Sequence, residues 1–217
     1  MNKRTIILII ITVVIIGGGV AVYALTRPEP STDTPGMSHG DMSSAPTEPT
    51  QPTTSATYEQ YVNLKGEDYD RTFLMNMMAH HQGAVDMANL AAAQAKHQEI
   101  KTLADGIVQA QTSEITQMMA WQKEWGYTSM SSDNTMDHGA ASDMSTMTSE
   151  LQNLSGDEFD KKFIELMIQH HQSAIDMAKP GAYNASHQEL KNLTNAIVSA
   201  QTNEIQQMQQ WQKEWGY

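Results

Sequence analysis

Met77-Met78-Ala79-His80-His81-Gln82-Gly83-Ala84-Val85-Asp86-Met87-Ala88 returns 90 residues later as Met167-Ile168-Gln169-His170-His171-Gln172-Ser173-Ala174-Ile175-Asp176-Met177-Ala178. Phe73, Met77, His80, Ala84 and Met87 recur at the three-and-four spacing of one helix face, while Arg71, Gln82, Asp86 and Asn89 fall on the opposite side. At roughly 100° per residue, Met77 and Ala84 lie mid-stripe and His80 and His81 flank it, so both imidazoles can lean inward.

The repetition extends well beyond this stretch. Between 62–127 and 152–217, 36 of 66 positions are identical, which is an internal duplication. The repeats are taken as 58–127 and 148–217. Each reads as two helices. The second helix of the first copy puts Ile100, Leu103, Ile107, Gln111, Glu114, Ile115, Met118 and Trp125 on one stripe, and Gly126 marks its end. Ser155 with Glu158 reads as a capping box in the second copy, and Pro180-Gly181 ends the first helix there about a turn early. No strand signal occurs in either repeat. The expectation is all-α: a four-helix bundle made of two duplicated helical hairpins.

Residues 1–27 read as a membrane segment. Lys3 and Arg4 precede an uncharged run from Ile6 to Leu25, ended by Arg27. About 20 apolar residues span a bilayer core, longer than the apolar part of most cleaved signals. A signal-anchor is expected, or a secreted chain if residues 1–24 are cleaved. Either places the remainder outside the cytoplasm, periplasmic or at the cell surface. Residues 28–57 form a Pro/Thr/Ser linker too poor in apolar residues to bury a core, so disorder is expected. It carries Met37, His39 and Met42. A second polar linker, 128–147, carries Met136, His138, Met144 and Met147. Methionine and histidine have no core to fill in such tracts.

Composition narrows the function. The net charge of −12 argues against a nucleic-acid partner. With no cysteine there is no thiolate ligand, nucleophile or disulfide. Methionine numbers 16 against 3 phenylalanines; it fills cores, and its thioether also selects Cu(I) over hard cations. Glu114 and Glu204 sit on apolar stripes, which is costly unless they are paired or metal-bound. If the hairpin closes near 93–96, Gln111 and Glu114 come level with His80 and His81. Glu114 is then a ligand or a partner that orients an imidazole. Met118 and Met208 are core filler or further thioether ligands. His97 and His187, each opening a second helix, are capping residues or ligands. Glu-x-x-His and His-Glu-x-x-His are absent, as are Gly-x-Ser-x-Gly and phosphate or dinucleotide loops. No catalytic residue is evident, so a non-enzymatic role is expected.

The motifs from Phe73 through Met77, His80-His81-Gln82, Asp86-Met87-Ala88, His97-Gln98-Glu99, Ala110-Gln111 and Glu114-Ile115 to Met118 resemble a bacterial domain-of-unknown-function family. That family is ferritin-like in fold and includes CopM-like periplasmic copper-binding proteins. The resemblance covers nearly all of both repeats. It implies Cu(I), with Ag(I) as mimic, held by Met77, His80, His81 and Met87 and by Met167, His170, His171 and Met177. Met78 has no counterpart in the second copy, where Ile168 stands. The linker clusters resemble Met/His-rich segments of copper-resistance proteins. The leading expectation is a membrane-anchored, extracytoplasmic protein that sequesters or transfers Cu(I), with a copper-accepting protein as partner and homo-oligomerisation open. Two rivals stand beside it: a structural or protein-interaction bundle whose core histidines pair with Glu114 and Glu204, and an iron-dependent, ferritin-like oxidase.

Overall fold

In the computed structural model, residues 55–127 and 138–217 are described, all within the unit Thr50–Tyr217. The described residues form seven helices and no strand. Four are long: α2 (Glu67–Gln94), α3 (Gln98–Glu124), α5 (Asp157–Ala178) and α7 (Gln188–Trp215). Three are short: α1 (Ala56–Val62), α4 (His138–Leu151) and α6 (Gly181–Asn184). The all-helical bundle read from the 3.6-residue periodicity is what the described residues form. Among the described residues no helix is long and apolar enough to cross a membrane. The membrane segment expected over 1–27 lies outside the described residues, as do Met37, His39, Met42 and Met136.

Each long hairpin begins the same way. Gly66 and Gly156, at φ 58° and 65°, sit at the N-caps of α2 and α5. That left-handed backbone suits glycine. Three acids follow in each first turn, Glu67, Asp68 and Asp70 or Asp157, Glu158 and Asp160, complementing the helix dipole. The capping box expected from Ser155 and Glu158 does not form: the N-cap is Gly156, with no side-chain cap bond. The reason lies across the repeats. Gly156 N–H donates to Gln94 O at 2.8 Å, and Gly66 N–H to Asn184 O at 2.7 Å. Each turn is stitched to the other repeat's hairpin, so its geometry answers to that partner.

The far ends match as well. Tyr127 N–H donates to Gln122 O and Gly126 N–H to Lys123 O, the paired bonds of a Schellman stop with Gly126 at φ 73°. In the second copy α5 does end at Ala178, before Pro180, and α6 completes the path that α2 runs unbroken. Two features differ from expectation. Helix α1 starts within the stretch read as linker, capped by Ser55, whose hydroxyl accepts from Tyr58 N–H. Helix α4 begins at His138, inside the second expected linker. These leading helices contribute Tyr61 and Leu151, equivalent positions in the two copies and both fully buried.

The core divides into two clusters. One joins Ala84, Met87 and Ala91 from the later part of α2 to Phe159, Phe163 and Met167 from the early part of α5. The other joins Phe73, Leu74 and Met77 from early α2 to Ala174, Met177 and Ala178 from late α5. Thus α2 and α5 run antiparallel, and the two copies are related by an approximate twofold axis. The level between the clusters carries the histidines.

Candidate metal centre

His80, His81, His170 and His171 are all buried, none more than 4 % exposed. The His80 and His170 rings meet across the approximate axis with centroids 3.7 Å apart and planes tilted by 40°. Within each pair the rings are farther apart, 6.4 Å for His80–His81 and 6.2 Å for His170–His171.

The hydrogen bonds fix most of the ring orientations. His81 Nε2 donates to Glu114 Oε2 at 2.7 Å, and His171 Nε2 to Glu204 Oε2 at 2.6 Å. His170 Nε2 donates to the His80 carbonyl at 2.9 Å. Nδ1 of His81, His170 and His171 takes no part in these bonds. All three are buried and have no hydrogen-bond partner within the protein, as is true of both His80 nitrogens. Burial is the main force holding His80 and His170 well below the usual imidazole range; the neighbouring histidines add to it. Both rings are therefore neutral near pH 7, the state in which imidazole ligates metal.

Six methionines bracket this level, each buried. Met77, Met118 and Met177 belong to one cluster, Met87, Met167 and Met208 to the other. Each trio holds a thioether from both copies. Neutral imidazole and thioether form a soft donor set that suits Cu(I), so the side chains present fit the ion by their chemistry. Among the described residues, however, no three histidine, aspartate or glutamate side chains gather around one point. A closed site would have to draw on methionine.

The remaining candidates are placed elsewhere. His97 and His187 hold the N-cap positions of α3 and α7, away from the four-histidine level, but their side chains make no cap bond to their own helices. Their capping is done by two acids that sequence reading passed over. Asp160 accepts from the backbone N–H of Lys96 and His97 and from His97 Nδ1, at 3.0, 2.8 and 2.6 Å. Asp70 does the same for Ser186, His187 and His187 Nδ1, at 2.9, 3.2 and 2.7 Å. Trp215 stacks on His97 and Trp125 on His187, with centroids 3.8 Å apart in each case. Asp70 and Asp160 are fully buried, and a charged residue kept at equivalent positions in both copies was the available signal. Met147 packs against the first cluster. His138 and Met144 fall in α4, but their side chains lie outside the described ones.

A duplicated hairpin bundle with a buried level of paired histidines defines a class. The sequence pattern described as "Domain of unknown function (DUF305)" matches residues 24–88 and 70–212. The chain belongs to this family, and the two overlapping matches fit two tandem copies. Among solved structures, CopM in the Cu(I)-bound form is 36 % identical, with a TM-score of 0.55 over 67 % of this chain and 96 % of that one. CopM in an Ag-bound form is 34 % identical, TM-score 0.56, over 67 % and 96 %. A DUF305 protein from Streptomyces coelicolor is 27 % identical, TM-score 0.61, over 68 % and 94 %. No curated protein matches the chain.

Proposed function

We propose that this protein binds copper outside the cytoplasm, taking Cu(I), with Ag(I) as a mimic, at the histidine level of a ferritin-like bundle, and sequesters the ion or passes it on. The observation that carries the reading is the set of buried ring nitrogens with no partner on His80, His81, His170 and His171. A buried polar atom without a partner costs about 1–3 kcal/mol. A core built only for stability would pair them or replace them with apolar groups; a core built to take a metal keeps lone pairs free. CopM, similar over most of its length, has been solved in Cu(I)-, Cu(II)- and Ag-bound forms.

Met77, Met87, Met167 and Met177 would complete the soft donor set, with Met118 and Met208 beside them. Glu114 and Glu204 would orient His81 and His171 rather than ligate, because their carboxylates already hold the outer ring nitrogens. The Met/His clusters at 37–42 and 136–144 would capture ions for the bundle. The apolar run over 6–25 would anchor the chain, with the basic N-terminus inside. The Streptomyces coelicolor relative, described as secreted, supports placement outside the cytoplasm. No catalytic step is assigned, and a copper-accepting protein is the expected partner.

The structural-bundle rival has one specific observation in its favour: the His81–Glu114 and His171–Glu204 pairs are part-buried hydrogen bonds of an ordinary kind. Anaerobic titration of the full chain with Cu(I) against a chromogenic competitor separates the two, with Zn(II) and Fe(II) in parallel. Tight Cu(I) binding that falls when His80, His81, His170 and His171 are replaced by asparagine, in a chain still folded, supports the proposal. Unchanged affinity and stoichiometry would move the site out of the bundle.

A further inference from the structure

A cleft opens between α3 and α7, lined by Ile107, Ala110, Gln111 and Glu114 and by their counterparts Ile197, Ala200, Gln201 and Glu204. Every lining residue has its equivalent across the approximate axis. The space, about 20 Å³, holds roughly one water or ion.

The donors change with depth. Ala110 and Ala200 are solvent-exposed, and as small side chains they leave the mouth open. The Glu114 and Glu204 side chains are 23 % and 27 % exposed. Gln111 and Gln201 are buried, 2 % and 3 % exposed, and their Oε1 atoms have no hydrogen-bond partner. Beyond the carboxylates lie His81 and His171, whose side chains are fully buried. The cleft is thus lined by carboxylate and amide oxygens, and each carboxylate is hydrogen-bonded to a buried imidazole.

We propose that this cleft is the passage by which the cargo cation reaches the histidine level; this rests on the copper reading above. Two part-exposed carboxylates lining the cleft draw cations in from solution. Oxygen donors hold soft Cu(I) only weakly, so they pass it on to nitrogen and sulfur rather than retain it. The free Oε1 atoms of Gln111 and Gln201 are such oxygen donors, and this gives those buried amides a purpose that packing does not. Glu114 and Glu204 stand at the junction, one oxygen each on a histidine and the rest of the carboxylate facing the cleft.

The test uses the full chain with Met37, His39, Met42, Met136, His138 and Met144 replaced by serine, leaving the bundle as the receiver. Cu(I) uptake from a coloured chelator complex is followed by stopped flow. Ala110→Trp with Ala200→Trp plugs the mouth; both sites are exposed, and circular dichroism checks the fold. Gln109→Trp with Ser199→Trp is the control, on exposed neighbouring positions that do not line the cleft. We expect the plugged protein to load roughly tenfold or more slowly than the control, a barrier rise of about 1.4 kcal/mol, with final stoichiometry and affinity unchanged. Loading at the control rate overturns the passage while leaving copper binding intact. Altered affinity at an unchanged rate also overturns it, because the cleft would then be a binding site and not a route. No uptake by the unplugged protein removes both the passage and the copper reading.

Discussion

The rings of His80 and His170 meet at 3.7 Å on the approximate axis that relates the two repeats, and neither ring has a charged partner there. In the unfolded chain each takes a proton near pH 6.5; in the folded protein burial holds the protonation well below that. The unfolded state therefore binds more protons once the pH drops below 6.5. Stability from this pair is fully present above that value and is lost as the pH falls, by about 1.4 kcal/mol per pH unit for each histidine. Urea midpoints measured from about pH 7 to pH 5 should fall steeply. Replacing both with asparagine should flatten the profile. A wild-type profile that is already flat would mean that the stack is not held neutral.

Glu114 and Glu204 serve the histidine level from its outer side. Replacing either with alanine strips a buried Nε2–H of its acceptor, at about 1–3 kcal/mol. The half-open carboxylate position lets water substitute in part, so the lower end of that range is expected. Glutamine keeps an acceptor oxygen and should cost less. Denaturation of Glu114→Ala beside Glu114→Gln gives the order. Equal losses would mean that His81 does not depend on the hydrogen bond.

Much of this arrangement was legible in the sequence. The stripe through Phe73, Met77, His80, Ala84 and Met87 is buried as its spacing implies, and the level match of Glu114 with His81 follows from where the hairpin closes. What periodicity within one helix cannot carry is the relation between the copies. The meeting of His80 with His170, the mixed-copy methionine trios and the turn bonds of Gly66 and Gly156 all arise from the antiparallel crossing of α2 and α5. The two leading helices escaped notice because they are short and lie in tracts rich in serine and threonine. Asp70 escaped because an acid in a first helical turn is ordinarily a dipole partner in solvent, whereas here it reaches across to the other repeat.

Asp70 and Asp160 should accordingly matter more to stability than other first-turn acids. Each accepts two backbone N–H bonds and one imidazole bond from the other copy while fully buried. Losing a buried group with such partners costs about 3–5 kcal/mol. Asp160→Ala should lower the thermal midpoint by many degrees, while Asp157→Ala, at an exposed neighbour in the same turn, should move it little, because exposed ion pairs contribute little to stability. Similar midpoints for the two variants would refute the cross-repeat cap.

The copies have also diverged in a way that predicts a compensated substitution. A Cβ on Gly181 would lie 2.5 Å from Thr194 Cγ2, 2.6 Å from its hydroxyl and 2.6 Å from the Tyr69 hydroxyl. At the equivalent positions the first copy has Ala91 with Ala104 and Phe159, all in one core cluster: where the neighbours lose a methyl and hydroxyl or a phenol oxygen, an alanine fits. In the second copy the larger neighbours stay because the Tyr69 hydroxyl donates to Met177 O at 2.9 Å, at the end of the interrupted α5. Gly181→Ala alone should cost about 1–3 kcal/mol through overpacking. Adding Thr194→Ala and Tyr69→Phe should relieve that clash while giving up two hydrogen bonds, from the Tyr69 hydroxyl to Met177 O and from the Thr194 hydroxyl to Lys191 O, at about 1 kcal/mol each. A thermodynamic cycle should then show a favourable coupling of about 1 kcal/mol or more. Purely additive losses would mean that the site relaxes freely and that the glycine is not there for space.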